Sequence, residues 1–110
     1  MSKYHAKRIE IDGIKFDSMK EGNRYCELKL LEKAKAIKSL VLQPKFVLQP
    51  PFTNADGQKE RAITYIADFM YYDNELGQVV VEDVKGVRTD VYKLKKKMFE
   101  YKYGTVVREI

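Results

Sequence analysis

The alternation of polar and apolar residues predicts two short strands near the start of the chain. Residues 7–16 read KRIEIDGIKF, and the alternation continues on both sides of Asp12-Gly13. An Asp-Gly pair between alternating runs is a strong signal for a two-residue β-turn, because both turn positions need a positive φ. We therefore expect an N-terminal β-hairpin.

The next segment predicts a helix. Ser18 and Glu21 have the spacing of a capping box, in which a serine side chain and a glutamate side chain satisfy free N–H groups at a helix start. Apolar residues then recur at helical spacing up to about Ile37. The residues expected to face the core are Cys26, Leu30, Ala34 and Ile37.

The middle of the chain predicts strands. Residues 39–52 read SLVLQPKFVLQPPF, which is β-prone but contains three prolines, so an edge strand or a bent strand is expected. A long strand is predicted over residues 61–72, a turn over residues 73–77 and a second strand over residues 78–85.

After Gly86 the pattern changes to a helical period. The apolar stripe expected to face the core consists of Val91, Leu94, Met98 and Tyr101. Residues 105–110 can supply a last short strand. Strands and helices in this order predict an α/β fold with a mixed sheet of the α+β type.

The length and composition limit the possible classes of protein. The chain has 110 residues, which is enough for a single domain over residues 1–110. Its one cysteine, Cys26, cannot form an internal disulfide and suggests a reducing compartment. The sequence has no apolar run of the roughly 20 residues that span a bilayer and no apolar secretory signal. We expect a cytoplasmic protein that does not contact a membrane.

The positive charge is local. The net charge is +5, and residues 85–102 contain seven basic and two acidic side chains, so this segment accounts for all of it. A basic surface on an otherwise balanced protein is typical of binding to a phosphate backbone, and a solvated helix face has the same composition.

Candidate chemistry lies where acidic residues interrupt apolar strands. Asp83 and Lys85 project from the same side of a strand, because side chains alternate. Asp68 interrupts the apolar run ITYIADFMYY and is as far from the turn at residues 75–76 as Asp83 is. If the two strands pair, both carboxylates converge and can hold Mg²⁺ through oxygen. Lys85 would then orient water or stabilise charge on a phosphate.

These residues together resemble the PD-(D/E)XK nuclease superfamily, whose core runs helix, three strands, helix, strand. The segments LQPKFVLQPPF, YIADFMYY and VVEDVKG are also similar to short phage and prophage proteins thought to be nuclease-like. The resemblance implies a restriction-endonuclease-like core and catalytic roles for Glu21, Gln43, Asp68, Asp83 and Lys85. It further implies that Asp68, Asp83 and Glu21 hold the metal, Mg²⁺ or Mn²⁺.

Each of these residues also has an explanation without catalysis. Glu21 can be a capping residue, and Asp68 can be half of a buried ion pair. Asp83 and Lys85 can be a solvated strand end, and Gln43 can bond its strand neighbours.

Glu82 projects to the side of the strand opposite Asp83. We expect it to be a paired charge or a charge at the rim rather than a site residue.

The second helix predicts where DNA is contacted. With the apolar stripe facing inward, Lys93 and Lys97 share one exposed face and Lys96 lies beside Lys93. These three lysines are the predicted phosphate contacts, and Lys95 is expected to contribute much less. The same lysines can instead form a solvated helix face.

The function predicted from the sequence is a Mg²⁺- or Mn²⁺-dependent DNA endonuclease that acts on branched or otherwise structured phage DNA. If phage-encoded, it would act in the host cytoplasm. A homodimer is compatible with this function, because symmetric cuts need two active sites. The alternative is a non-catalytic nucleic-acid-binding or assembly protein with the same fold.

Overall fold

The computed structural model describes residues 8–110, which form two helices and ten strands. The helices are α1 (Met19–Lys33) and α2 (Asp90–Tyr103). The strands are β1 (Ile9–Ile11), β2 (Ile14–Phe16), β3 (Ile37–Leu42), β4 (Lys45–Gln49), β5 (Phe52–Thr53), β6 (Lys59–Glu60), β7 (Ile63–Ile66), β8 (Phe69–Asp73), β9 (Gln78–Asp83) and β10 (Val107–Glu109). Neither helix in this part of the chain is long and apolar enough to cross a membrane.

The predicted N-terminal hairpin is confirmed. Strands β1 and β2 pair antiparallel, and the turn residues Asp12 and Gly13 have φ values of 54° and 77°. The hairpin lies against α1 at Gly22, where an added Cβ would be 2.3 Å from the Cδ1 atom of Ile9. Gly22 therefore allows the close approach of helix and hairpin.

A four-stranded mixed sheet forms the centre of the fold and confirms the α+β class. Its order is β10-β9-β8-β3, with β10 parallel to β9 and the other pairs antiparallel. In the β8–β9 hairpin, Phe69 is opposite Glu82 and Tyr72 is opposite Val79. This is the register in which Asp68 and Asp83 are equally far from the turn.

The two helices pack on opposite faces of this sheet. Side chains alternate between the faces along β8 and β9, so each face contributes to a separate core. The buried core on the α1 side comprises Phe16, Tyr25, Leu28, Ile37, Phe69, Tyr71 and Val80. The buried core on the α2 side comprises Leu48, Tyr65, Ala67, Val81, Tyr92, Phe99 and Val107.

The predicted end and inner face of α1 are wrong. The helix ends at Lys33 because Lys35 adopts a left-handed φ of 63°, and Ile37 is instead the first residue of β3. Cys26, Leu30 and Ala34 are exposed, whereas Ile37 is buried as expected, from β3 rather than from the helix. The buried helix residues are Glu21, Gly22, Tyr25 and Leu28. On this face the large ring of Tyr25 takes the place of the several smaller aliphatic side chains that were expected to face the core.

The predicted inner face of α2 is also wrong. Tyr92 and Phe99 are buried, whereas Leu94 is exposed and the Tyr101 side chain is 93% exposed. The Val91 side chain is likewise exposed, and only Met98 of the predicted stripe is partly buried against the core. Tyr92 and Phe99, at i and i+7, are two large rings, whereas the predicted stripe has one, Tyr101. Burying two rings removes more apolar area from water, which favours this face turning inward.

The long strand predicted over residues 61–72 is interrupted at Ala67-Asp68, which separates β7 from β8. A matching break at Gln43-Pro44 separates β3 from β4, as the prolines predicted. The Gln43 N–H donates to the Asp68 carbonyl oxygen at 2.9 Å, and the Ala67 N–H donates to the Pro44 carbonyl oxygen at 3.1 Å. The two breaks therefore lie side by side and place Asp68 where the strands change partners.

Candidate functional site

Asp68 lies at the strand break and faces the end of β9. Its Oδ2 atom accepts a hydrogen bond from the Val84 N–H at 2.7 Å. Its own N–H donates to the Glu82 carbonyl oxygen at 3.1 Å. These bonds hold the Asp68 carboxylate next to Asp83, which follows Glu82 on β9.

Asp83 is the last residue of β9, and only 1% of it is exposed. Its Oδ1 atom is 3.1 Å from the Lys85 Nζ atom, and its Oδ2 atom accepts a hydrogen bond from the Tyr65 hydroxyl. Tyr65 on β7 is a site residue that the sequence analysis missed. The contact of its hydroxyl with Asp83 can be recognised only when the break between β7 and β8 at Ala67-Asp68 is known.

Lys85 is held on two sides. Its ammonium pairs with Asp83 and lies 4.2 Å from the centre of the Tyr92 ring. It lines the cleft that contains Asp68 and also a second groove toward α2. The lysine is therefore positioned by contacts with β9 and α2 and still borders open space.

Glu21 serves the helix start and the cleft through different atoms. The Glu21 N–H donates to the Ser18 Oγ atom at 3.1 Å, which confirms Ser18 as the N-cap. Among residues 8–110 the reciprocal bond from the Ser18 N–H to the Glu21 carboxylate does not form. The carboxylate is nearly buried and borders the cleft with Asp68 and Lys85.

The cleft has a volume of about 360 Å³. Three of its lining residues, Asp17, Glu21 and Asp68, are acidic, and two, Lys20 and Lys85, are basic. The buried Asp83 carboxylate adds a negative charge behind this wall.

Burial, and after it the neighbouring negative charge, raises the pKa values of Asp68 and Glu21. Burial raises the pKa of Asp68 to about 7, the Val84 N–H opposes this rise, and the carboxylates of Asp83 and Glu21 add to it. Burial also raises the pKa of Glu21, followed by repulsion from Asp17 and Asp83, and Lys85 acts in the opposite direction. The cleft therefore has the electrostatic character of a site for a cation.

The donor set fits a hard divalent cation held by two carboxylates. Mg²⁺ binds oxygen ligands, commonly one or two carboxylates together with waters. Asp68 and Asp83 are two such carboxylates, and the Asp83 oxygens also contact Lys85 and Tyr65. Within residues 8–110, no three side chains of Asp, Glu, His or Cys converge as ligands of one ion. Glu21 thus borders the Asp68–Asp83 pair without completing a three-residue ligand set in this structure.

Gln43 is next to Asp68 through its backbone. It is exposed and has a left-handed φ of 52°, and its N–H bonds the Asp68 carbonyl oxygen. A left-handed conformation is unfavourable for a residue with a Cβ atom and persists only where the surroundings hold it. The strand break beside Asp68 is thus fixed at a conformational cost.

Glu82 forms a buried ion pair on the other side of β9, as predicted. Its Oε1 atom accepts from the Arg24 Nε atom at 2.8 Å, and its Oε2 atom accepts from the Arg24 Nη2 atom at 2.5 Å. The Tyr71 hydroxyl also donates to Oε2.

The lysines of α2 differ from one another in their surroundings. Lys96 pairs with Glu100 at 3.1 Å, whereas Lys93 and Lys97 are exposed. Lys95 lines the second groove together with Lys85. Lys93 and Lys97 are each about 160° from Lys95 around the helix axis, so the structure does not bring them to Lys85.

The chain belongs to a family with the description "Protein of unknown function (DUF1064)", whose family model matches residues 1–109. No curated protein and no solved structure matches the chain.

Proposed function

We propose that this DUF1064 protein is a Mg²⁺- or Mn²⁺-dependent endonuclease that hydrolyses phosphodiester bonds in DNA. The observation that carries the proposal is the convergence of Asp68, Asp83 and Lys85 at the ends of two paired strands, with Glu21 beside them. Two carboxylates and one ammonium at a cleft are the groups that a metal-dependent phosphodiesterase needs.

The order of elements supports a restriction-endonuclease-like core of the PD-(D/E)XK type. Along the chain, the central sheet and its helices follow the order α1, β3, β8, β9, α2, β10. This is a helix, three strands, a helix and a strand. The acidic residues and the lysine lie at the end of the two central strands, between the helix that carries Glu21 and the basic helix.

Asp68 and Asp83 would hold the cation, with Glu21 close enough in the cleft to contact its waters. A bound divalent cation would lower the pKa of a coordinated water and neutralise charge on the phosphate. Tyr65 and the Val84 N–H orient the two carboxylates, since each occupies one oxygen of an aspartate. Lys85, which lines the same cleft, would donate hydrogen bonds to the phosphate or the water.

The test is cleavage by the purified full-length chain. Four-way junction, flap, single-stranded and linear duplex DNA are incubated with the protein in Mg²⁺, in Mn²⁺ and in EDTA. We expect cleavage in either metal, none in EDTA, and a preference for the branched substrates. Asp83→Asn should abolish cleavage, and Asp56→Asn, which alters an exposed loop carboxylate, should leave it unchanged.

A non-catalytic DNA-binding protein is the second candidate, and the exposed lysines Lys93 and Lys97 would serve it equally well. Binding without cleavage of any substrate in either metal would favour this candidate. Sedimentation of the chain with and without junction DNA tests for the homodimer that symmetric cutting needs. The corresponding place of action is the cytoplasm.

A further inference from the structure

A second groove lies on the α2 side of Lys85. It has a volume of about 300 Å³ and runs between β7 and the start of α2. Its walls include Tyr65 and Tyr92 together with two lysines, two threonines and two aliphatic side chains. The last six are Lys85, Lys95, Thr64, Thr89, Ile66 and Val91.

Lys95 places a positive charge in the groove. It is partly buried, yet it forms no ion pair with any residue from 8 to 110. The adjacent Lys96 does pair, with Glu100. An ammonium that is partly removed from water without a carboxylate partner favours the binding of an anion.

The apolar walls favour a ligand that is more than a simple anion. The Ile66 side chain on β7 is 55% exposed and the Val91 side chain on α2 is 62% exposed. Both border the same groove. A nucleotide combines a phosphate, which suits lysine, with the apolar faces of a sugar and a base, which suit isoleucine and valine.

The groove adjoins the cleft at Lys85, which lines both. A strand whose phosphate lies beside Lys85 in the cleft can therefore extend by one residue into the groove.

We propose that the groove between β7 and α2 binds the DNA nucleotide adjacent to the cleaved bond. Lys95 contacts its phosphate, and Ile66 and Val91 contact its sugar or base. The proposal names a strand-binding site for the proposed nuclease and rests on that function only in calling the bond cleaved. It makes Lys95 the main phosphate contact of α2, in place of Lys93, Lys96 and Lys97, which the sequence predicted.

The test is a binding titration with the full chain in EDTA, where metal-dependent cleavage cannot occur. The probe is a fluorescein-labelled single-stranded oligonucleotide, measured by anisotropy at several salt concentrations. Lys95→Gln should weaken binding about tenfold at 50 mM salt and reduce the log–log salt slope by about 0.7, the value for one phosphate contact on a single strand. Ile66→Ala should weaken binding about threefold without changing the slope.

Lys93→Gln is the matched control, because it removes the same charge from the far side of the same helix. An effect of Lys93→Gln as large as that of Lys95→Gln would overturn the proposal, since the phosphates would then follow the outer face of α2. If Ile66→Ala binds the oligonucleotide with unchanged affinity, the assignment of a nucleotide to the groove is overturned, and the groove is a site for an anion alone.

The binding test and the cleavage test fail independently. If the wild-type chain binds the oligonucleotide through Lys95 but cuts no substrate, the proposal for the groove stands and the proposed nuclease function is overturned. If the wild-type chain cuts DNA and Lys95→Gln binds the oligonucleotide normally, the proposed nuclease function stands and the proposal for the groove is overturned.

Discussion

Arg24 and Glu82 form a two-point ion pair that joins α1 to β9 one residue before Asp83. The bonds measure 2.8 and 2.5 Å, and the Glu82 side chain is almost fully buried. Arg24 is three residues after Glu21, so both project from neighbouring turns of one helix face. The pair therefore sets the separation between the Glu21 carboxylate and the end of β9.

Removing one partner of this pair should destabilise the fold. Arg24→Met leaves the Glu82 carboxylate buried with only the Tyr71 hydroxyl as a side-chain donor. We expect the free energy of unfolding to fall by about 3–5 kcal/mol, as for other broken buried pairs. Urea unfolding followed by circular dichroism measures the change.

Two further variants control this prediction. Arg8→Met removes an exposed guanidinium 3.8 Å from Asp17 and should change stability by less than about 0.5 kcal/mol. The double variant Arg24→Met/Glu82→Leu should recover most of the loss, because no buried charge remains. A double variant as unstable as Arg24→Met would show that lost packing, not the unpaired charge, is the cause.

Asp68→Asn should stabilise the metal-free protein above neutral pH. The pKa of Asp68 is about 7 in the folded protein and 3.8 in the unfolded chain, so folding takes up a proton between these values. The contribution of Asp68 to the free energy of unfolding is therefore fully present below about pH 4, and it is lost as the pH rises from there through 7. Asparagine removes the charge and keeps an oxygen for the Val84 N–H.

The expected gain is about 1–2 kcal/mol at pH 8, below the full value of the pKa shift because Asp68 is partly exposed. Thermal unfolding in EDTA at pH 5 and pH 8 measures it. The variant and the wild type should differ more at pH 8 than at pH 5. A constant difference would mean that the charge of Asp68 does not oppose folding.

Lys85→Ala should separate metal binding from cleavage. Lys85 contributes an ammonium and no metal ligand, so the variant should retain the Mn²⁺-dependent rise in melting temperature that Asp83→Asn loses. Cleavage should fall by about 100-fold or more, because the ammonium no longer stabilises charge on the phosphate. Lys59→Ala, at an exposed position on β6, should behave as the wild type in both assays.

Ser18→Ala and Glu21→Gln should separate the helix cap from the cleft. Ser18→Ala removes the acceptor of the Glu21 N–H and should cost about 1 kcal/mol of stability while cleavage persists. Glu21→Gln keeps that N–H and removes a carboxylate whose pKa is raised, so stability should not fall while cleavage does. Full cleavage by Glu21→Gln would limit Glu21 to a structural role.

The position of Asp68 relative to Asp83 could be predicted because it depends on local information. The turn and the alternating strands fix the register of the β8–β9 hairpin, and the structure has that register. Ser18 as the cap and the Asp12-Gly13 turn were predictable for the same reason. Each depends on residues a few positions apart.

The helix faces and Tyr65 could not be predicted because they depend on distant partners. Helical spacing is found both in the predicted apolar stripe that ends at Tyr101 and in the buried pair Tyr92 and Phe99. Only the shape of the opposing sheet favours the pair. Tyr65 reads as a core residue because its bond to Asp83 spans 18 positions and requires the break at Asp68.

The β8–β9 turn divides the candidate site between two pieces of chain. Opening the chain after Glu75 would leave Glu21 and Asp68 on an N-terminal fragment and Asp83 and Lys85 on a C-terminal fragment. Neither fragment would contain both aspartates. Fused to two interacting proteins, the fragments would regain the proposed cleavage activity only when brought together, which makes this turn a suitable position for a split-protein reporter.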